Sequence, residues 1–179
     1  MVYLLIYNDN SLCIYRICLD DDQISKLLST ISMLYREKLY EYNSVIKKTG
    51  YYLKPLHIVV KKYNNSIKTY YYYGKYWYRV ISQGSKIKWY YISNEKPLKD
   101  LPDPPINPLI LIKVINNDNR NCLCVLKDYR EFLEIVLDYL RKASAFLEKN
   151  SKVLPNSLQN SLDKKNTRLL KRDKLWNIY

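Results

Sequence analysis

The spacing of apolar residues changes period several times along the chain, and each change predicts a different element. Residues 2–7 and 12–18 are apolar runs on either side of Asn8-Asp9-Asn10-Ser11, four turn formers in a row, so the chain opens on a predicted β-hairpin. From Asp20 the spacing becomes helical. Ile24, Leu27, Leu28, Ile31, Leu34 and Tyr35 line one face; Asp20, Asp21 and Asp22 suit the positive end of the helix dipole, and Lys47 and Lys48 the negative end. Gly50 stops this helix near Lys48. Residues 56–62 predict a strand, joined through Tyr63-Asn64-Asn65-Ser66 to three more at 67–73, 75–81 and 86–92, with breaks at Gly74 and Ser82-Gln83-Gly84-Ser85. The result is a four-stranded meander dense in Tyr, Trp, Ile and Val, which suit a half-buried pleated surface.

Residues 96–108 carry Pro97, Pro102, Pro104, Pro105 and Pro108, so they predict an extended connector that divides the chain. Beyond it, 109–115 and 122–126 flank Asn116-Asn117-Asp118-Asn119 as a second hairpin. A helix follows over 128–149, with Phe132, Ile135, Val136, Tyr139, Leu140, Ala143 and Phe146 in one apolar stripe. The expected fold class is therefore α+β: antiparallel sheet in the order β-hairpin, helix, Tyr-rich meander, β-hairpin, helix. Residues 1–150 are expected to form one domain with the connector inside it, and 151–179 a basic C-terminal tail. The ββα order at both ends also fits a duplication around an inserted meander, and the layout is loosely similar to longin-like or profilin-like proteins.

Charge adds a partner to this picture. The formal net charge of +13 favours an anionic one, nucleic acid first and an anionic membrane surface or acidic protein second. In the meander, alternation places Lys75, Trp77, Arg79 and Ile81 on one face of a strand, and Lys86, Lys88, Tyr90 and Ile92 on one face of the next. Cations that neutralise phosphates are thus interleaved with rings on which bases can stack. The same pattern also describes a solvated sheet face over a Tyr-rich core. Lys75, Trp77, Arg79, Lys86, Lys88 and Tyr90, with Lys164, Lys165, Arg168, Lys171, Arg172 and Lys174 of the tail, form the expected nucleic-acid-binding set.

Tyr73-Gly74-Lys75-Tyr76-Trp77-Tyr78, followed by Lys86-Ile87-Lys88-Trp89-Tyr90-Tyr91-Ile92, resembles a short module of uncharacterised phage and archaeal proteins, a YGxYWY-like strand before a KxKxxYIG-like one. About twenty residues are covered, and Ser93 stands where the module has Gly. Its likeness to the three-stranded arm-binding sheets of some integrases implies DNA binding. The composition, low in Gly and rich in Tyr, Ile, Lys and Asn, is similar to that of proteins from viruses and plasmids of hyperthermophilic crenarchaea. That resemblance implies a host cytoplasm as the compartment.

Catalytic patterns are weak. Cys13, Cys18, Cys122 and Cys124 lack CxxC spacing and His57 is the sole histidine, so no zinc site is expected; buried free thiols are the default, and bridges between the two pairs are expected only in a disulfide-tolerant hyperthermophile. Asp20 to Asp22 read as a helix cap rather than a metal site. A nuclease would need Asp103 with Lys113 or Lys127, but Val125 stands where such a site carries an acid. No catalytic residue, metal or cofactor is expected. No apolar run is long enough to span a membrane and no signal peptide is evident, which predicts a cytoplasmic protein. The expected function is a non-catalytic nucleic-acid-binding protein, monomer or homodimer, encoded by a virus or plasmid. The alternative is a virus-encoded inhibitor that binds a host protein or ribonucleoprotein of defence or transcription.

Overall fold

The computed structural model describes residues 13–63, 66–117 and 120–150. The first strand of the expected opening hairpin and the whole basic tail lie outside them, and with the tail go Lys164, Lys165, Arg168, Lys171, Arg172 and Lys174. The fold is α+β: among the described residues, eight strands in antiparallel pairs, together with helices. The described residues fall into two compact units, one built from 32–107, the other from 13–31 and 108–150. Among them no helix is long and apolar enough to cross a membrane.

The second of these units holds β1 (Cys13–Leu19), the first turns of α1 (Asp21–Ile46), the short α2 (Pro108–Leu111), β7 (Ile112–Asn117), β8 (Arg120–Leu126) and α3 (Leu133–Asn150). Its sheet has the order β1-β8-β7. Register puts Tyr15 and Ile17 beside Val125 and Leu123, and these beside Ile112 and Val114, so one face is a continuous buried apolar surface. Ile24, Leu27 and Ile31 of α1 and Val136, Leu137, Leu140 and Ala143 of α3 are buried with it. The α3 stripe differs from the expected one. A 3-10 segment, Lys127–Phe132, precedes the helix and shifts its phase, so Leu137 and Ser144 join the core while Phe146 stands exposed. Pro108 opens α2 where the sequence pattern predicts a strand, since proline suits the first turn of a helix.

Asp20 caps α1 as expected. Its carboxylate accepts from the Gln23 N–H at 2.8 Å, while the Gln23 side chain accepts from the Asp20 N–H at 3.4 Å, a reciprocal capping box. Asp21 accepts from Asn121 and Asp22 pairs with Lys26, so the three aspartates face three different partners. The free-thiol expectation is overturned: Cys13 is bridged to Cys124 and Cys18 to Cys122. β1 pairs with β8, and Cys18 lies directly opposite Cys122, so tertiary pairing brings together residues more than a hundred apart.

The unit of residues 32–107 holds the rest of α1, a 3-10 turn at Lys47–Thr49, β2 (Tyr51–Leu53), β3 (His57–Tyr63), β4 (Ser66–Tyr72), β5 (Trp77–Gln83) and β6 (Lys86–Ser93). Gly50 closes the 3-10 turn that continues α1, in the left-handed region at φ 74°, donating its N–H to the Lys47 carbonyl. The four-stranded meander does not form. β3 and β4 make a hairpin of their own, and β5 pairs instead with β2 and β6, in the order β2-β5-β6. The cause lies between β4 and β5. Gly74 adopts φ 56° beside α1, where a Cβ would stand 2.6 Å from the Tyr35 hydroxyl and 3.1 Å from Leu39. The chain therefore follows the helix instead of turning back on β4, and β5 starts at Trp77 rather than Lys75.

The Pro-rich connector is strapped along this unit. Tyr42 donates its hydroxyl to the Pro102 carbonyl at 2.7 Å and Tyr35 to that of Pro105 at 3.1 Å, while Asn107 donates to the Tyr73 carbonyl. Lys96 donates to the Leu101 carbonyl and pairs with Asp103, the carboxylate a nuclease site would have needed. Proline nitrogens lack a donor but their carbonyls remain acceptors, and it is these that the tyrosines use.

Candidate nucleic-acid interface

Between Glu41 and Glu95 the sequence contains ten lysines and arginines and no aspartate or glutamate. The span covers all five strands of the unit formed by residues 32–107, so every sheet surface there is free of carboxylates.

Register assigns the faces of the β2-β5-β6 sheet. Arg79 lies opposite Tyr90 and also opposite Tyr51, Ile81 opposite Lys88, and Gln83 opposite Lys86. Directly opposed residues share a face. The structure therefore brings Arg79, Lys86, Lys88 and Tyr90 of the expected set onto one side. Lys86, Lys88 and Tyr90 are exposed. Arg79 is partly committed: its guanidinium lies 4.6 Å from the Tyr51 ring centre and donates to the Thr49 carbonyl at 3.1 Å.

Two residues of the set are placed elsewhere. Trp77 is only 3% exposed and meets Tyr42 edge-on at 6.2 Å, so it belongs to the core and offers no face for stacking. Its direct neighbour on β2, Leu53, is equally buried, and alternation along β5 runs unbroken against β2, so it is cover at this end of the strand and not a change of side that removes Trp77 from the surface. Lys75 precedes β5 and sits over Tyr72 at 4.9 Å and Tyr76 at 5.8 Å.

Lys75 leads to a surface that strand-by-strand alternation misses. Tyr70 stacks with Tyr72 at 6.5 Å; Tyr72 meets Tyr76 at 5.6 Å, Tyr76 meets Tyr91 at 6.0 Å and Tyr91 meets Tyr78 at 5.9 Å. Tyr78 meets Trp89 at 6.3 Å, and Trp89 meets Tyr52 at 5.0 Å. Seven rings thus run side by side from the β3-β4 hairpin across the second face of the β2-β5-β6 sheet. Lys61 lies over Tyr70, Lys75 over Tyr72 and Lys54 over Tyr78. An isolated two-stranded hairpin is marginal in water, and edge-to-face ring pairs contribute about 0.5–1.5 kcal/mol each. The packing of Tyr76 on Tyr72 and on His57, 4.7 Å away, therefore fastens the hairpin as well as paving a surface. His57 serves as one more ring here, with Lys54 Nζ at 3.4 Å from its Nδ1.

The second sheet face and α1 enclose two adjoining recesses of about 460 and 470 Å³. Tyr40, Tyr52 and Trp89 line both. Lys47 lines the first, and Arg36 and Lys54 the second. Burial first and the Tyr40 phenol second push the Tyr52 hydroxyl above its ordinary pKa near 10, so Tyr52 is a neutral donor at physiological pH. Tyr76 is raised by burial and then by Tyr72, Tyr91 and Tyr78. The chain matches no protein family, no curated protein and no solved structure.

Proposed function

We propose that this protein binds nucleic acid, and that the unit formed by residues 32–107 provides the binding surface. The observation that carries this reading is the coincidence of the carboxylate-free span with exposed rings. Ten cations face no internal anion of that span, and Lys54, Lys61 and Lys75 stand over aromatic faces. Phosphates are neutralised by such cations at any sequence, and rings between them accept bases. Arg79, Lys86, Lys88 and Tyr90 supply a second basic face on the same sheet. The proposed role is binding rather than catalysis.

The test is affinity for labelled oligonucleotides as a function of salt. A steep linear fall of log affinity with log salt is expected, its slope reduced by replacing lysines of the surface. Absence of affinity at low salt would overturn the reading. One observation favours a protein partner instead: Ile58, Val60, Ile67 and Tyr71 stand exposed on a single face of the β3-β4 hairpin. A complex with a host protein that survives nuclease treatment, in the absence of oligonucleotide binding, would support that second reading.

A further inference from the structure

We infer that the two recesses between α1 and the β2-β5-β6 sheet receive unpaired bases, so that the ligand is a single strand rather than a duplex. The inference rests on the nucleic-acid reading above and names the form of ligand.

Its basis is what the walls are made of. Tyr52 and Trp89 meet at 86°, and as both line each recess, they form a common aromatic partition with a ring available on either side. Trp89 is 51% exposed and Tyr40, across from it on α1, is also half-exposed, so flat faces are open to an incoming ring. Each volume suits a nucleoside, lying at the lower end of the range usual for small-ligand sites. Charge selects among flat ligands. Neither lining contains a carboxylate, while Lys47 stands at one recess and Arg36 and Lys54 at the other. The Arg36 Nε is buried and finds no acceptor among the described residues. Asn43 and Ser44 add polar groups at the Lys47 side.

Bases in a duplex keep their faces stacked on one another, so only an unpaired strand can place rings in these recesses. The basic sheet surfaces then follow the backbone on either side. A duplex is left with the charged surfaces alone.

The experiment compares, on the full chain at one low salt concentration, fluorescence anisotropy of a labelled single strand, its duplex, and an abasic strand of the same length. Tighter binding of the single strand than of either control is expected. Trp89→Ala should weaken the single strand about tenfold, in the range for loss of one stacked base, leave duplex affinity within about twofold, and be rescued by Trp89→Phe. Equal binding of abasic and normal strands, or of duplex and single strand, would overturn the inference and leave the charge-based reading standing. No binding of any of the three would overturn both. Trp89 is exposed on an outer strand of its sheet, and circular dichroism of the variant separates a folding defect from a loss of stacking.

Discussion

Asn43 on α1 and Leu53 on β2 are joined twice: the Asn43 amide donates to the Leu53 carbonyl at 2.8 Å, and its oxygen accepts from the Leu53 N–H at 2.8 Å. Both residues are buried, so the amide acts as a substitute strand for a three-residue β2. Asn43→Ala would orphan two backbone groups and is expected to cost roughly 2–4 kcal/mol, read from a urea melt. Asn43→Asp keeps the acceptor but sets a buried carboxylate oxygen against the Leu53 carbonyl, so it is expected to lose at least as much as Asn43→Ala at neutral pH.

Gly74 and Gly84 separate strain from collision. Both have positive φ, 56° and 60°, but a Cβ at Gly84 meets nothing within 4 Å, whereas at Gly74 it runs into Tyr35 and Leu39. Gly84→Ala should therefore cost only the left-handed penalty, on the order of 1 kcal/mol, and Gly74→Ala clearly more. Equal losses in urea melts would show that α1 gives way at Tyr35.

Removing charge should alter binding by face. Lys86→Ala with Lys88→Ala is expected to reduce the salt slope for single strands by roughly 0.7 for each phosphate no longer neutralised, and to weaken all sequences alike. A sequence-dependent loss would show that these lysines reach bases.

Alkaline pH should destabilise the protein. Burial, then the Asp103 carboxylate, raises the Tyr42 phenol, and burial raises Tyr52 and Tyr76. A raised folded-state value means stability that is fully present below the ordinary phenol pKa of about 10 and lost as pH rises through the higher folded value. Urea midpoints should hold from pH 8 to about 9.5 and then fall. Tyr52→Phe should flatten that fall; an unchanged slope would assign it to other groups.

The paired bridges should not add. Cys13–Cys124 spans 111 residues and Cys18–Cys122 spans 104, and closing a loop of this length contributes roughly 4–5 kcal/mol in the chain-entropy account. With one bridge in place, the other closes only a short extra ring. Cys18→Ser with Cys122→Ser should thus lower the urea midpoint far less than reduction of both bridges, and equal losses would contradict the nested arrangement.

Periodicity and end signals carry much of this fold. The α1 boundaries follow from Asp20 and Gly50, and the faces of β6 from simple alternation, because those signals are local. What escapes them is decided by partners distant in sequence. Tyr51-Tyr52-Leu53 is too short to announce a strand before Asn43 and β5 pair with it, and Gly74 looks like an ordinary turn until Tyr35 fixes its path. Alternation assigns Trp77 to the side of Arg79 but says nothing of what covers that end of the strand, where Tyr42 of α1 and Leu53 of β2 bury it. The seven-ring run is likewise hidden, since it joins residues from β2, β4, β5 and β6 and the segment before β5. The absence of acids between Glu41 and Glu95 is the signal that marks that surface as a whole.

The nested bridges also make the covalent molecule a closed circuit. All of residues 32–107, every ring of the candidate interface included, lies on the chain between Cys18 and Cys122. A protease that nicks one peptide bond in that span leaves two fragments still tied together, so the cut protein migrates as one species until reductant is added. Damage to the loops of the candidate interface would then open the circuit without shedding any part of it.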